Sequence, residues 1–356
     1  MTETYCKKRQ HESIEQENYK YVDMEKENIN QEYMAPESNR RLRILLVLTG
    51  GTIGTMSGSD GKRRVVSNAG SEPLLLTSLR RLAPEYEPEA DIRIPYQVLS
   101  EHMTTDYLNA LGDCLRGEEM SRYDGIFITH GSDTLAFTAA YLAELLRGCP
   151  VPVFLLASQR PLDDPESNGT ENFLAALKLL GHTPEAGVFV TYRNSDGIMY
   201  LHRAEELRQC EPGTDDFFSE GMRPCGSLAG GEISRGSREE ELPEEGSEPE
   251  MWKVPDLRIT NDVLLLHPYV GIRYDCIVTE GVRAVLHTLY HSSTAPKELA
   301  GFLDRCRKAK IPCYILPCEP ENCHYETTSE LLANGAIPLS GMTEETAYMR
   351  LLMQRI

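Results

Sequence analysis

Residues 42–54 read Leu-Arg-Ile-Leu-Leu-Val-Leu-Thr-Gly-Gly-Thr-Ile-Gly, and this stretch decides the fold class. Its first seven residues form a nearly continuous aliphatic run, which is typical of a strand buried on both faces of a parallel sheet. The two glycines and Thr52 follow at the carboxyl end of that strand, where open α/β sheets bind ligands. The glycines permit a tight turn and a close approach to a ligand, and Thr52 adds a hydroxyl. The alternative is a tight turn whose threonines only satisfy backbone groups.

A second loop of the same kind occupies residues 130–134, which read His-Gly-Ser-Asp-Thr and follow a short apolar strand at residues 125–129. This loop opens a helix, and either Ser132 or Asp133 can cap its first turn. The peptide N–H groups of a helix N-terminus also attract a carboxylate, and Asp133 can pair with an amino group. A site for an amide-bearing amino acid needs a hydroxyl nucleophile, N–H groups for the carboxylate and a carboxylate for the ammonium.

A third strand-end loop, at residues 157–161, reads Ala-Ser-Gln-Arg-Pro. A backbone carbonyl there can accept a hydrogen bond from a substrate amide, although a plain connecting loop explains the sequence as well. None of the three loops matches the glycine spacing of dinucleotide or phosphate sites, which argues against those ligands.

Strands alternate with helices along most of the chain, which indicates βαβ units and a doubly wound sheet. We therefore predict an α/β fold with a larger N-terminal domain at residues 41–226 and a smaller α/β domain at residues 257–356. Residues 227–256 are rich in Gly, Ser, Pro and Glu, and predict an exposed linker or insertion. Residues 1–40 are polar and predict a disordered extension. The predicted strands cover 42–48, 92–98, 125–129, 151–156, 187–192, 263–267, 284–290 and 313–316, and the predicted helices cover 73–82, 105–116, 135–147, 170–180, 297–309 and 343–354.

The composition excludes several classes of function. The chain has 356 residues and a net charge of −19, which argues against binding to nucleic acid or to an anionic membrane surface. No stretch approaches the ~20 apolar residues of a membrane span, and the N-terminal residues lack the apolar core of a signal peptide. We therefore expect a cytoplasmic protein.

The ten cysteines indicate reduced thiols in such a compartment. Cys313, Cys318 and Cys323 recur every five residues beside His324, which is not the spacing of a zinc knuckle. We therefore expect no metal site at these cysteines.

The quoted loops resemble the signatures of the bacterial-type L-asparaginase family, in its cytoplasmic branch. The run at residues 49–53 is similar to the first signature, and residues 130–134 to the second, which normally has threonine where this chain has Ser132. Residues 158–162, 167–169 and 172–177 resemble the segment that follows. The order and spacing agree from about residue 41 to the end of the sequence. The resemblance implies hydrolysis of L-asparagine to L-aspartate and ammonia without a cofactor, in a homodimer or homotetramer.

The resemblance also assigns roles by position. Thr52 corresponds to the nucleophile, Ser132 to the second catalytic threonine, and Asp133 to the residue that binds the substrate ammonium. Ser100 corresponds to the serine that binds the substrate carboxylate, and Glu101 to its neighbour. The same comparison predicts backbone contacts from three further positions: Gly51, Gly131 and Ser158.

The sequence departs from the family pattern at two catalytic positions. The family's active-site lysine aligns with Arg203, which cannot give up a proton under ordinary conditions. Arg203 can orient Asp133 or stabilise an oxyanion, and the neighbouring His202 is a titratable substitute. The family's loop tyrosine is missing, and Lys62 lies in a basic run at residues 61–64 instead. A further difference is at residues 291–294, where the family has a Gly-rich loop.

Three functions therefore remain open from the sequence. The first is an asparaginase or a related amidohydrolase. The second is a relative that binds aspartate or asparagine as a sensor without turnover, which the two departures favour. The third is the ammonia-generating subunit of a tRNA-dependent amidotransferase, which the acidic composition disfavours.

Overall fold

The computed structural model describes residues 40–57, 63–65, 72–180, 186–229, 232–235, 252–322 and 325–356. This part of the chain contains an eight-stranded sheet, a four-stranded sheet, two two-stranded sheets (β2 with β3, and β9 with β10) and the helices given below. The strands are β1 (Arg43–Leu48), β2 (Thr55–Ser57), β3 (Arg63–Val65), β4 (Glu89–Arg93), β5 (Gly125–Thr129), β6 (Val153–Leu156), β7 (Val188–Arg193), β8 (Met199–Arg203), β9 (Leu207–Arg208), β10 (Phe218–Ser219), β11 (Gly226–Ala229), β12 (Glu232–Arg235), β13 (Val263–Leu266), β14 (Ala284–Thr288), β15 (Cys313–Leu316) and β16 (Ile337–Pro338). The helices are α1 (Leu74–Leu82), α2 (Thr105–Arg116), α3 (Leu135–Leu145), α4 (Gly169–Leu180), α5 (Leu299–Lys308), α6 (Glu326–Ala333) and α7 (Glu344–Leu352). None of these helices has the length and apolar character that crossing a membrane requires.

The larger sheet has eight strands in the order β12-β11-β8-β7-β6-β5-β1-β4. The strands from β4 to β7 are parallel, whereas β8, β11 and β12 run antiparallel to their neighbours. The direction of winding changes at β1, because β1 pairs with β4 on one side and with β5 on the other. Ligands of open α/β sheets bind beside such a point, at the carboxyl ends of the strands.

The aliphatic residues of β1 divide between two helical layers. Leu45 and Val47 pack on the layer that contains α2 and α3, and Ile44 and Leu46 pack on the layer that contains α1 and α4. All four side chains are fully buried. A strand covered on both faces needs apolar residues at every position, which explains the continuous run and confirms its prediction.

The smaller sheet is parallel throughout, in the order β13-β14-β15-β16. Val285 and Ile315 face α5 and α6 on one side of it. Leu286 faces the other way and joins the core of the larger unit together with Ala347 of α7. The α/β class, with a larger N-terminal sheet domain and a smaller C-terminal one, is confirmed.

Several element boundaries differ from the sequence prediction. The strand predicted at residues 92–98 is β4, which begins at Glu89 and ends at Arg93. The proposed linker at residues 227–256 includes most of β11 and all of β12, so the larger sheet continues beyond residue 226. Strands at the edge of a sheet need few aliphatic residues, so composition alone did not reveal them. The acidic run at residues 238–249 and the extension at residues 1–39 lie outside the described residues.

Candidate functional site

The loops that follow β1 and β5 touch each other at two glycines. Gly51 has a φ of 76°, and a Cβ atom on it would lie 2.3 Å from the backbone nitrogen of Gly131. A side chain at position 51 is therefore excluded both by conformation and by space. This contact brings the loop that carries Thr52 against the loop that carries Ser132.

A third segment, which leads from β4 to α2, completes the cluster. The Gly51 N–H donates to the Val98 carbonyl at 3.0 Å, and the Val98 N–H donates to the Thr49 carbonyl at 3.0 Å. A Cβ atom on Gly131 would lie 2.3 Å from Ser100 Oγ. Loops from β1, from β5 and from the segment after β4 thus converge at the switch point of the sheet.

Ser100 and Asp133 are in direct contact. Ser100 Oγ donates to Asp133 Oδ2 at 2.9 Å and accepts from the Asp133 N–H at 3.3 Å. Thr134 Oγ1 donates to the Ser100 carbonyl at 3.0 Å, and Ser100 is buried. Glu101, the neighbour of Ser100 in the sequence, is exposed. The contacts give the Asp133 carboxylate one defined position, which suits a charge that receives an ammonium group.

Thr52 and Ser132 each begin a short 3-10 helix, Thr52–Gly54 and Ser132–Thr134. Both residues are half-buried. Within the described part of the chain, neither side-chain hydroxyl has a hydrogen-bond partner in the structure. The two hydroxyls are therefore available to a ligand that enters between the loops.

His130, the first residue of the Ser132 loop, is hydrogen-bonded through both of its ring nitrogens. Its Nδ1 lies 2.8 Å from the Gly131 carbonyl oxygen and its Nε2 lies 2.8 Å from Thr138 Oγ1. A carbonyl can only accept, so Nδ1 carries the proton and Nε2 accepts from the threonine hydroxyl. Burial lowers the pKa of His130 to about 4, so the ring is neutral at physiological pH. Both ring nitrogens are engaged, and His130 acts as a fixed support for the loop.

Ser158 follows β6 at the same edge of the sheet, where the His130 N–H donates to the Leu156 carbonyl at 2.8 Å. The Ser158 hydroxyl is buried, and it donates to the Arg160 carbonyl and contacts Ser167 Oγ at 2.9 Å. Its side chain is thus committed to its own loop. A backbone role for Ser158 stays a prediction.

Arg203 does not join the loops, which corrects its assignment to the site. It pairs with Phe189 of β7, in a row of the sheet that continues to Phe127 of β5, five residues before Ser132. Three strand spacings, about 14 Å, separate β8 from β5. The Arg203 guanidinium instead lies 5.9 Å from the centroid of the Phe189 ring. The register of the β7–β8 hairpin, which the sequence does not reveal, places this cation away from the hydroxyls.

His202 is also remote and cannot replace the base. It pairs with Val190, it is 1% exposed, and its Nδ1 contacts Ser219 Oγ at 2.9 Å. Burial lowers the pKa of His202 to about 3. Lys62 lies outside the described residues.

The residue that does reach the Ser132 loop from this part of the chain is Gln209. Its Nε2 donates to the Ser132 carbonyl at 2.7 Å, and its Oε1 accepts from the Ala136 N–H at 3.4 Å. The preceding residue is Arg208, a cation that pairs with Glu220. Gln209 follows the two-residue strand β9, too short to produce a recognisable pattern, so the sequence carries no signal for its role.

The cysteines that recur every five residues in the sequence belong to the smaller domain. Cys313 and Cys318 are buried in the smaller domain, and burial raises the pKa of the Cys313 thiol. Cys323 and His324 lie outside the described residues.

The fold and these loops define a class of protein: an α/β protein whose hydroxyl and carboxylate side chains meet at the carboxyl edge of a doubly wound sheet. The chain belongs to the asparaginase family. The family model described as asparaginase, N-terminal, matches residues 43–240.

Individual relatives fall into two groups. One subunit of the glutamyl-tRNA(Gln) amidotransferase of Methanosarcina acetivorans is 28% identical to this chain over 337 residues, which cover 89% of this chain and 75% of that protein. The protein of the same name from Saccharolobus solfataricus is 26% identical over 333 residues, which cover 87% of this chain and 70% of that protein.

Among solved structures, L-asparaginase I from Vibrio cholerae aligns with a TM-score of 0.71 and 25% identity, over 88% of this chain and 93% of that one. The thermostable L-asparaginase from Thermococcus kodakarensis aligns with a TM-score of 0.71 and 21% identity, over 88% of this chain and 92% of that one. The second likeness concerns the fold alone.

Proposed function

We propose that this protein hydrolyses L-asparagine to L-aspartate and ammonia. The observation that carries the proposal is the convergence of the three loops: Gly51 packs on Gly131, and Ser100 bonds to Asp133. That arrangement supports a site in which the Thr52 and Ser132 hydroxyls and the fixed Asp133 carboxylate serve one ligand. A free α-amino acid with a side-chain amide has groups complementary to the hydroxyls and to the carboxylate. The proposal includes the homodimer or homotetramer that the family resemblance implies.

In the proposed reaction, the Thr52 hydroxyl oxygen attacks the carbon of the side-chain amide and forms an ester, while its proton passes to the departing nitrogen. Ammonia leaves, and water then hydrolyses the ester to release aspartate and restore Thr52. Asp133 binds the substrate ammonium, and Ser132 supplies the second hydroxyl. Peptide N–H groups of the converging loops stabilise the oxyanion that forms on the carbonyl oxygen.

The test is ammonia release from L-asparagine by the purified full-length chain. We expect Thr52→Ala and Ser132→Ala to lower kcat by about 10³-fold or more, as removal of a nucleophile or its partner does. Thr77→Ala is the control, because it removes a hydroxyl that contacts only α1 and its flank. A wild-type rate no higher than that of Thr52→Ala would contradict the proposal.

A binding protein without turnover is the alternative, and the positions of Arg203 and His202 favour it, since neither the residue aligned with the family lysine nor its titratable neighbour lies at the site. This function predicts that aspartate raises the melting temperature of the wild type and not of Asp133→Asn, with no ammonia released. Stabilisation together with turnover would reject it.

A role in a tRNA-dependent amidotransferase is the third candidate, and the names of the two curated relatives favour it. It predicts that the tagged chain purifies from its own cells with a second chain in equal amounts, and that this partner stimulates ammonia release. Full activity of the chain alone, unchanged in the presence of every copurifying protein, would reject it.

A further inference from the structure

The peptide group between Ser132 and Asp133 is held at both of its polar atoms. Its carbonyl oxygen accepts from Gln209 Nε2 at 2.7 Å, and its N–H donates to Ser100 Oγ at 3.3 Å. Rotation of this peptide would move the Ser132 side chain on one side and the Asp133 side chain on the other. The two contacts therefore set the relative orientation of both predicted site residues.

Gln209 is in turn held by a residue from the smaller domain. The Gln209 N–H donates to Glu345 Oε1 at 3.0 Å. Glu345 is 3% exposed, and its other oxygen, Oε2, is buried without a hydrogen-bond partner among the described residues. Burial raises the pKa of this carboxyl. An orphaned carboxyl oxygen is costly to bury, so a purely structural contact would be better served by an uncharged side chain.

Helix α7, which carries Glu345, contacts both the segment that leads to Gln209 and the helix that follows the Ser132 loop. Thr346 Oγ1 donates to the Glu205 carbonyl at 2.7 Å, ahead of Gln209. Arg350 Nε donates to Glu144 Oε1 at 2.6 Å, on the helix that follows the loop. The segment that leads to Gln209 and the C-terminal end of α3 are thereby held by the same helix.

We propose that Glu345 and Gln209 are positioning residues for the site: Glu345 fixes Gln209, and the Gln209 amide fixes the Ser132–Asp133 peptide. This inference rests on the proposed function. Neither side chain touches the substrate, and both act through the orientation of Ser132 and Asp133. The smaller domain thus takes part in catalysis through one side chain of α7.

The experiment compares kcat, KM and melting temperature for Gln209→Leu, Glu345→Leu and Glu345→Gln. Gln209→Leu keeps the volume and loses the amide, so we expect kcat to fall roughly 10- to 100-fold, as misplacement of catalytic groups by about 1 Å does. We expect Glu345→Leu to lower kcat by a similar factor. Glu345→Gln keeps an oxygen for the Gln209 N–H and should stay within about threefold of the wild type.

A double-mutant cycle separates positioning from general weakening. Because the two residues act in one chain of contacts, Gln209→Leu/Glu345→Leu should lose no more activity than the worse single variant. Asn109→Leu is the matched control. It also removes an amide that bonds a remote backbone, at Ile259, and it should lower the melting temperature with kcat unchanged.

Three results would overturn the proposal in an active wild type: Gln209→Leu within twofold of wild-type kcat, Glu345→Gln as impaired as Glu345→Leu, or additive losses in the double variant. A wild type that releases no ammonia contradicts the proposed function instead. The positioning role is then judged by the aspartate-induced melting shift, which Gln209→Leu should abolish and Asn109→Leu should retain. Equal shifts in both variants, or no shift in the wild type, would reject it.

Discussion

At the scale of single residues, the Asp133 carboxylate is in place before any ligand arrives. Ser100 donates to one carboxylate oxygen and accepts from the Asp133 N–H, so both the carboxylate and the backbone of Asp133 are held in position. A ligand that binds to a pre-ordered group loses less conformational entropy on binding. A substrate carboxylate that used Ser100 would have to take over the hydrogen bond that Asp133 now receives.

Arg203 provides a prediction at the same scale. Arg203→Met keeps the length of the side chain and removes the guanidinium that lies over the Phe189 ring. We expect a loss of about 1 kcal/mol of stability and a change in ammonia release of no more than about twofold. Urea unfolding and steady-state kinetics measure the two effects. A fall in kcat of more than tenfold in a variant that unfolds normally would return Arg203 to the site.

At the scale of elements, the site depends on loops that can approach each other only through glycine. A methyl group at position 51 would meet the Gly131 backbone at 2.3 Å, and backbone atoms cannot move aside as a flexible side chain does. The approach of the two strand-end loops thus depends on how closely Gly51 packs on Gly131. Loop spacing of this kind is more sensitive to an added carbon than to a change of charge.

Gly51→Ala tests this dependence, and Gly197→Ala is its control. Both glycines have positive φ, 76° and 81°, but an added Cβ at Gly197 has no heavy atom within 4 Å. The control should cost about 1 to 2 kcal/mol of stability from backbone strain and leave kcat unchanged. Gly51→Ala should cost more than that and reduce ammonia release at least 100-fold. Equal behaviour of the two variants in both assays would show that the close contact is not needed.

Much of this arrangement follows from local sequence, and the rest depends on distant contacts. The aliphatic run of β1 and the loops at Thr52 and Ser132 are predictable because burial and strand-end position leave a mark on neighbouring residues. The position of Arg203 depends on the register in which β8 pairs with β7. The sequence of the two strands is compatible with several registers and does not select one of them. The contact between Gln209 and Glu345 joins residues 136 positions apart, and no local pattern specifies it.

At the scale of the whole molecule, three histidines of the described residues are buried in neutral form. Burial lowers the pKa of His130 to about 4, of His202 to about 3 and of His287 to about 4. In the unfolded chain each would titrate near 6.5. The unfolded state therefore binds more protons as the pH falls below about 6.5, and the folded state loses stability until the folded pKa values are reached.

We expect the free energy of unfolding to fall between pH 7.5 and pH 5 by about 2 kcal/mol for each of these histidines, or about 6 kcal/mol together. Urea unfolding at the two pH values measures the change. His202→Asn should reduce it by about one third, since it removes one of the three groups. Equal stability of the wild type at both pH values would mean that the three rings are accessible to protons in the folded state.

The contact between α7 and Gln209 joins two residues that are synthesised at different times. Glu345 leaves the ribosome 136 residues after Gln209, a delay of about 7 to 27 s at roughly 5–20 residues per second. During that interval the loops that carry Thr52 and Ser132 have been synthesised, while Glu345, which contacts the Gln209 N–H, has not. A nascent chain of that length therefore lacks the contact between Glu345 and the Gln209 N–H, which can form only after α7 has been synthesised.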